Sequence, residues 1–433
     1  MVGTRPCPPR EADGSAHLIN LIRIERSRSV HCRAADRGVR VLQDARIDEA
    51  LVTAAAGYGE RGLQVAAYIG SELVIDAWTG EADSAGRPVT GDTLFPVFSV
   101  SKAITSLALH LQAERGLVDY ESPVARYWPE FGSYGKADIL VRHVLSHQSG
   151  VPQMPEGVTP ELLGDWEWMT TRIAEFTPLF APGASSAYQS LVFGWIVGEV
   201  VRRTDPSGRG FGEFVRDELC APLGIEDLFF GVPEDRLSDV AELTSILSRE
   251  RAPGETRASL LAKPDAVAPD AHVHNLDVVK KACYPGAGGI LSARAVARLG
   301  AMVANGGELD GVRLLSESRV RRLLTPRPNG DALDEVLFGG GRVAAPIGTG
   351  GFWLGAGTPL GDQPALLRHG GSGGSLFAID LDRRLSVMIC HNRMFEGYDP
   401  TSDDHPFAAL GRAVIDIADE RLAGAEASPS GTA

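Results

Sequence analysis

The sequence predicts an α/β protein of the α+β kind, in which an antiparallel sheet is flanked by N- and C-terminal helices and interrupted by a mostly helical inserted subdomain. Three observations predict it. Near the start, "LQVAAYIGSELVIDAWTG" (63–80) is two strand-like runs about a Gly-Ser turn. Near the end, "ALLRHGGSGGSLFAIDLDRRLSVMICHNR" (365–393) is a strand, a glycine-rich turn and two strands joined at Asp382 to Arg384. Between them, residues 132–284 carry helical patterns and Pro/Gly loops. One sheet built from both ends of the chain accommodates this order.

Residues 1–46 are rich in Arg, Pro and Ser without periodicity and read as a poorly ordered extension. "IDEALVTAAAGYG" then places Ile47, Leu51, Val52 and Ala55 on one helical face, with Asp48 and Glu49 at the positive helix end. A second helix runs from Thr105 to about Glu114 and stops at Gly116. In the insertion "LVFGWIVGEVVRR" is the most apolar helix. "AGGILSARAVARLGAMVANGG" is another, ending at a glycine pair suited to a C-cap. "PFAALGRAVIDIADERL" closes the fold as an amphipathic helix. The expected division is an α/β domain from 47–131 and 285–424, a helical subdomain at 132–284 and a disordered tail at 425–433.

Composition narrows the function. Of 433 residues, 44% are hydrophobic and 23% charged, as in an ordinary globular protein. A net charge of −14 repels a phosphate backbone, and no Lys/Arg stripe reverses it locally, so nucleic acid is not an expected partner. Cys7, Cys32, Cys220, Cys283 and Cys390 form no C-x-x-C and point to neither a disulfide framework nor a zinc site. Leu18 to Ile24, interrupted by Asn20 and Arg23, is no secretory h-region, and no window spans a bilayer. A cytoplasmic protein without a membrane partner is the expectation.

The chemistry centres on "FPVFSVSKAITSLALHLQAERG". A serine hydroxyl needs a base to take its proton and donors to hold the oxyanion it creates. In Ser99-x-x-Lys102 the two residues share a helix face, whereas Ser101 points away. For Lys102 to act as base its pKa must fall from about 10.4, through burial among Phe95, Phe98 and Ile104 and a helix N-terminus. Spacing alone is weak, since Ser133-Tyr134-Gly135-Lys136 repeats it on a Gly-bracketed turn; a lone S-x-x-K is most often an N-cap and a solvated charge. Partners are nevertheless present. Tyr188-Gln189-Ser190 enters a helix, and its phenol could complete a base pair with Lys102; the other Y-x-S, Tyr120-Glu121-Ser122, reads as a surface turn. His369-Gly370-Gly371-Ser372 ends a strand where glycines let a substrate approach the backbone.

With these motifs, and with "LVRHVLSHQSGVP", "FAPGASSAYQSLVFGWIVGEVVRR" and "APLGI", the sequence after Ile47 resembles the serine β-lactamase-like proteins of the class C, penicillin-binding-protein-like fold, especially family VIII carboxylesterases and related acyltransferases. The resemblance implies a β-lactamase/transpeptidase-like fold, Ser99 as nucleophile, Lys102 as its base and Tyr188 as the acid/base for the leaving group. It places the N–H groups of Ser99 and Ser372 in the oxyanion hole, and puts His369, Gly370, Gly371, Ser190 and Trp353 at the substrate. Two departures matter. His369 stands where penicillin-recognising enzymes have a lysine for the substrate carboxylate, and Ser190 stands for an asparagine. Both favour a neutral ester or thioester over a β-lactam or a D-Ala-D-Ala peptide. The expected enzyme is therefore a serine esterase or acyltransferase of the Ser-Lys-Tyr kind, without cofactor or metal. Its partners would be a small-molecule acyl donor and an acceptor: water, or an alcohol or amine, as in tailoring of a secondary metabolite.

Competing readings rest on other residues. Gly370-Gly371-Ser372-Gly373-Gly374 matches G-x-S-x-G, the α/β-hydrolase elbow, with Asp380, Asp382 and His391 downstream; the elbow must lead into a helix, whereas the residues after it read as a hairpin. His143 and His147 are spaced for a metal but lack a third ligand, so core or capping histidines are the stronger reading. Trp166, Trp168 and Met169 are spaced either to line an acyl pocket or simply to pack. A non-catalytic binding module would be favoured had Ser99, Lys102 or Tyr188 been replaced, and all three are present.

Overall fold

A computed structural model describes residues 44–245, 256–330, 333–334, 336–337, 343–344 and 346–427. Of the predicted N-terminal extension only Asp44 to Arg46 fall within these residues, and of the C-terminal tail only 425–427; the remainder of both lies outside them, with Cys7 and Cys32.

Helix α1 (Ala45–Tyr58) begins at Asp44, whose carboxylate accepts the Arg46 N–H, and ends at Gly59 in the left-handed conformation. It buries Ile47, Ala50, Leu51 and Ala54. Val52, expected on that face, is 50% exposed, because a 3.6-residue period carries the stripe through positions 50 and 54 instead.

Strands β1 (Gly62–Ile69) and β2 (Glu72–Gly80) form the predicted hairpin about Gly70 and Ser71. Helix α2 (Ser101–Glu114) begins four residues before the expected start and is buried almost all round. α3 (Phe193–Thr204) packs against it from the helical region. α4 (Ala293–Ala304) ends at Gly306 and Gly307, both with positive φ. β3 (Trp353–Leu354), β4 (Leu366–Gly370), β5 (Leu376–Asp380), β6 (Leu385–His391) and α5 (Ala408–Ala427) complete the frame.

The main sheet has the order β3-β4-β5-β6-β1-β2, antiparallel throughout. The two ends of the chain meet at its centre, where β1 pairs β6 from Leu63↔His391 to Ile69↔Leu385. Strand alternation sorts the core. Leu63, Val65, Ala67, Leu385, Val387 and Ile389 face one cluster shared with α1 and α5; Ala66, Tyr68, Met388 and Cys390 face the other, shared with α4. Both faces of these strands are covered, which is why they read as apolar runs. A small sheet of Phe95–Pro96, Leu228–Phe230 and Gly289–Leu291 ties the segment before α2 to the helical region and to the start of α4.

Candidate active site

Ser99 lies in the turn between Phe95–Pro96 and α2, and the amide of Lys102 donates to its carbonyl at 3.0 Å as the helix opens. The positive end of α2 therefore sits at the serine, where it favours developing negative charge. Phe98, immediately before it, holds φ at +49°, an uncommon conformation for a bulky residue costing about 1–3 kcal/mol. Packing fixes it: Phe98 is 1% exposed, packs against the tilted ring of His274 at 4.3 Å and clusters with Leu243, Ala271 and Met394. Nothing in the sequence pattern marks this strained residue.

Ser101 takes a different part. Its hydroxyl donates to the Phe98 carbonyl and accepts the Gly289 N–H at 2.8 Å, so it fastens the turn to the small sheet. Ser101→Ala should lower stability by about 1–3 kcal/mol, the cost of a buried N–H left without its acceptor, while leaving the reaction in place. Urea unfolding alongside an ester assay checks both.

Lys102 is fully buried, and burial drives its pKa well below the usual lysine value. Its Nζ lies 2.7 Å from the Ser190 carbonyl, 2.7 Å from the Gly286 carbonyl and 3.0 Å from Ser99 Oγ. Carbonyls only accept, so two N–H bonds point at them. In the neutral amine the lone pair is left facing the serine hydroxyl. Lys136, the lookalike, is also buried, but its Nζ is bound by the carbonyls of Ser133, Ala174 and Phe176. Three acceptors demand three N–H bonds and leave no lone pair for Ser133, although burial lowers this lysine to about 8 as well.

Tyr188 is buried with its ring 4.9 Å from Lys102 Nζ. Burial pushes its phenol up, its hydrogen-bonding partner Ser99 opposes the rise, and the charge of Asp334 adds to it. The phenol is therefore protonated at any ordinary pH. Ser190 contributes its carbonyl to Lys102.

The third motif comes from the other end of the sheet. β4 ends at Gly370, and the turn 371–374 returns into β5 with Gly370↔Leu376 in register. A Cβ on Gly371 would collide with the Val97 carbonyl, so only glycine lets this turn lie against the residues that precede Ser99. Among the described residues the Ser99 and Ser372 amides have no intramolecular acceptor. Gly371→Ala should push the turn away from Val97 and lower kcat at least about tenfold, with a smaller change in KM. Steady-state kinetics on a short-chain ester measure the split.

His369 is 1% exposed, and burial lowers its pKa to about 3, leaving it neutral. Its Nδ1 lies 3.0 Å from the Gly370 carbonyl and so carries the proton, which leaves Nε2 a buried acceptor without a partner among the described residues. The ring of Trp353 stands 6.2 Å from those of Tyr188 and His369, at the edge of this cluster.

The competing constellations come apart. Ser372 leads into a strand, not a helix, and Asp380 is engaged by Arg383. His143 sits within a helix (Val141–Leu145), whereas His147 lies beyond its end with φ +59°, so they share no helix face. His143 caps the Leu140 N–H, and His147 packs its ring 4.5 Å from Tyr188 and accepts the Gln189 N–H. Trp166 donates to Glu199 at 2.7 Å and stacks on Phe211; Met169 is in the core, and Trp166 and Trp168 are half-buried and pack against it. Tyr120 is more than a surface turn: its phenol bonds His110 and Arg319.

The beta-lactamase family model matches residues 47–410. The chain belongs to the beta-lactamase family. Its relatives include esterases and beta-lactamases, and this protein is an enzyme of the serine hydrolase kind. It is 35% identical over 350 residues to "Esterase/beta-lactamase LipL" of Mycobacterium tuberculosis (strain ATCC 25618 / H37Rv), covering 77% of each chain. A family VIII carboxylesterase structure superimposes with a TM-score of 0.78 at 29% identity, covering 88% of this chain and 99% of that one. A penicillin-binding protein homologue from Caulobacter crescentus gives 0.75 at 29% identity, with the same coverages. Within this beta-lactamase-family fold the three motifs converge on one place, with Phe98, His147 and Asp334 as neighbours that no motif announces.

Proposed function

We propose that this enzyme hydrolyses a small neutral ester or thioester through an acyl-enzyme on Ser99. The observation that carries the reading is the placement of Lys102 Nζ, with two carbonyls occupying its N–H bonds and Ser99 Oγ at 3.0 Å in the remaining direction. Ser99 attacks the carbonyl carbon as its proton passes to Lys102. The N–H groups of Ser99 and Ser372 hold the oxyanion. As the bond to the leaving group breaks, Tyr188 supplies a proton to the departing oxygen or sulfur and is reprotonated from Lys102. Water then attacks the acyl-enzyme with the same groups in reverse, releasing the acid and freeing Ser99.

His369 supports a neutral substrate. A buried imidazole held near pKa 3 supplies no cation for a carboxylate, whereas its bare Nε2 suits a hydroxyl or amide donor. Gly370, Gly371, Ser190 and Trp353 would complete the substrate surface. An acceptor alcohol or amine in place of water would make the enzyme an acyltransferase. A cytoplasmic setting is part of the proposal; it fits Cys220, Cys283 and Cys390, which are unpaired thiols. Among the described residues no helix is long and apolar enough to cross a membrane.

Product analysis with p-nitrophenyl esters, with and without added alcohols and amines, tests the reading. The expected result is free acid at a rate indifferent to the acceptor. Acylated acceptor would assign transfer instead, and no turnover of any ester or thioester would overturn the proposal.

A further inference from the structure

Tyr188 does not hold its own position. Three successive amides are fastened by groups from two distant segments: Ala187 N–H donates to the His147 carbonyl at 3.0 Å, Tyr188 N–H to Asp334 Oδ1 at 3.1 Å and Gln189 N–H to His147 Nδ1 at 3.1 Å. The geometry points to Asp334 as a positioning residue of the reaction, its carboxylate holding the Ser186–Tyr188 segment so that the phenol rests on Ser99. This inference rests on the role proposed for Tyr188.

Asp334 is fully buried. A carboxylate there is tolerated only if donors replace its water. Among the described residues it has four: Tyr188 N–H at 3.1 Å, Val336 N–H at 2.9 Å and Leu337 N–H at 3.0 Å on Oδ1, and the Ser186 hydroxyl at 2.6 Å on Oδ2. Ser186 is in turn held by Arg327, whose Nη1 donates to its Oγ at 2.6 Å and to the Ser146 carbonyl at 3.1 Å. A backbone bridge between Ser186 and Asp334 completes the clamp. The negative charge acts through space as well, adding to the burial that keeps the phenol protonated. Two of the four donors come from the segment that bears Tyr188 and two from beside Asp334 itself, so losing the carboxylate removes the side-chain tie between the segments and leaves the backbone bridge to hold them. A displacement of about 1 Å at a catalytic group can cost on the order of a hundredfold in rate.

Asp334→Asn keeps the shape but removes the charge and turns one oxygen into a donor among donors. With a p-nitrophenyl ester, kcat is expected to fall at least about tenfold with KM within about twofold. Because Asp334 acts through Tyr188, the loss should vanish when Tyr188 is already Phe, so that Asp334→Asn/Tyr188→Phe is as active as Tyr188→Phe alone. Should Asp334→Asn fail to fold, Ser186→Ala removes one of the four donors and carries the same cycle. A wild-type kcat in Asp334→Asn, an equal loss on top of Tyr188→Phe, or a loss matched by the fraction unfolded would overturn the clamp and leave the proposed function standing. Full activity in Tyr188→Phe itself would overturn both.

Discussion

Ser99→Ala is expected to lower ester hydrolysis by about 10⁴-fold or more while the protein stays folded, because the proposed acyl bond forms on its hydroxyl. The serines around it make the test specific. Ser101 is committed to the Phe98 carbonyl and the Gly289 amide, and Ser133 has no lone pair facing it from Lys136. Ser372 is asked for its N–H and not its hydroxyl. Alanine at any of these three should keep activity within about tenfold, since the backbone donors remain. A large loss in Ser372→Ala with little change in Ser99→Ala would restore the elbow reading that the hairpin of β4 and β5 argues against. The assay is initial-rate hydrolysis, with a thermal melt for each variant.

Lys102→Arg is expected to be almost as damaging, falling about 10²–10⁴-fold, the range typical of general-base catalysis. Arginine keeps a long side chain with N–H donors, though a bulkier one, and cannot lose its proton at accessible pH. The same argument fixes the sign of the pH dependence. The base works when neutral, so kcat/KM should rise with pH through the pKa of Lys102 and then level. Burial places that pKa well below the usual 10.5, so the plateau should be reached well short of the ordinary lysine range. His369 should add no limb between pH 5 and 8, because it titrates near 3. A profile that climbs without levelling to pH 10.5 would mean an unperturbed lysine and would contradict the role.

Much of the fold was legible because period and punctuation agree locally. The Gly-Ser turn between β1 and β2, the turn at Asp382 to Arg384 and the glycine pair after α4 each mark a boundary the structure keeps. Periodicity places the start of α2 four residues too late, at Thr105, because Ser101 and Lys102 interrupt the apolar stripe yet are buried in its first turn. The motif residues could be read because chemistry restricts their identity. Their supports could not. Phe98 is set by backbone conformation, His147 by the Ala187 and Gln189 amides it accepts, and Asp334 by bonds to residues some 146–148 positions away, none of which leaves a local pattern. The contrast between Lys102 and Lys136 also needed coordinates, since both follow a serine by three and both are buried.

Labelling with a fluorophosphonate, followed by peptide mapping of the adduct, tests the central claim most directly. A single adduct on Ser99 is expected, formed more slowly in Lys102→Arg and absent in Ser99→Ala. An adduct on Ser372 or Ser133, or labelling undiminished in Ser99→Ala, would contradict it.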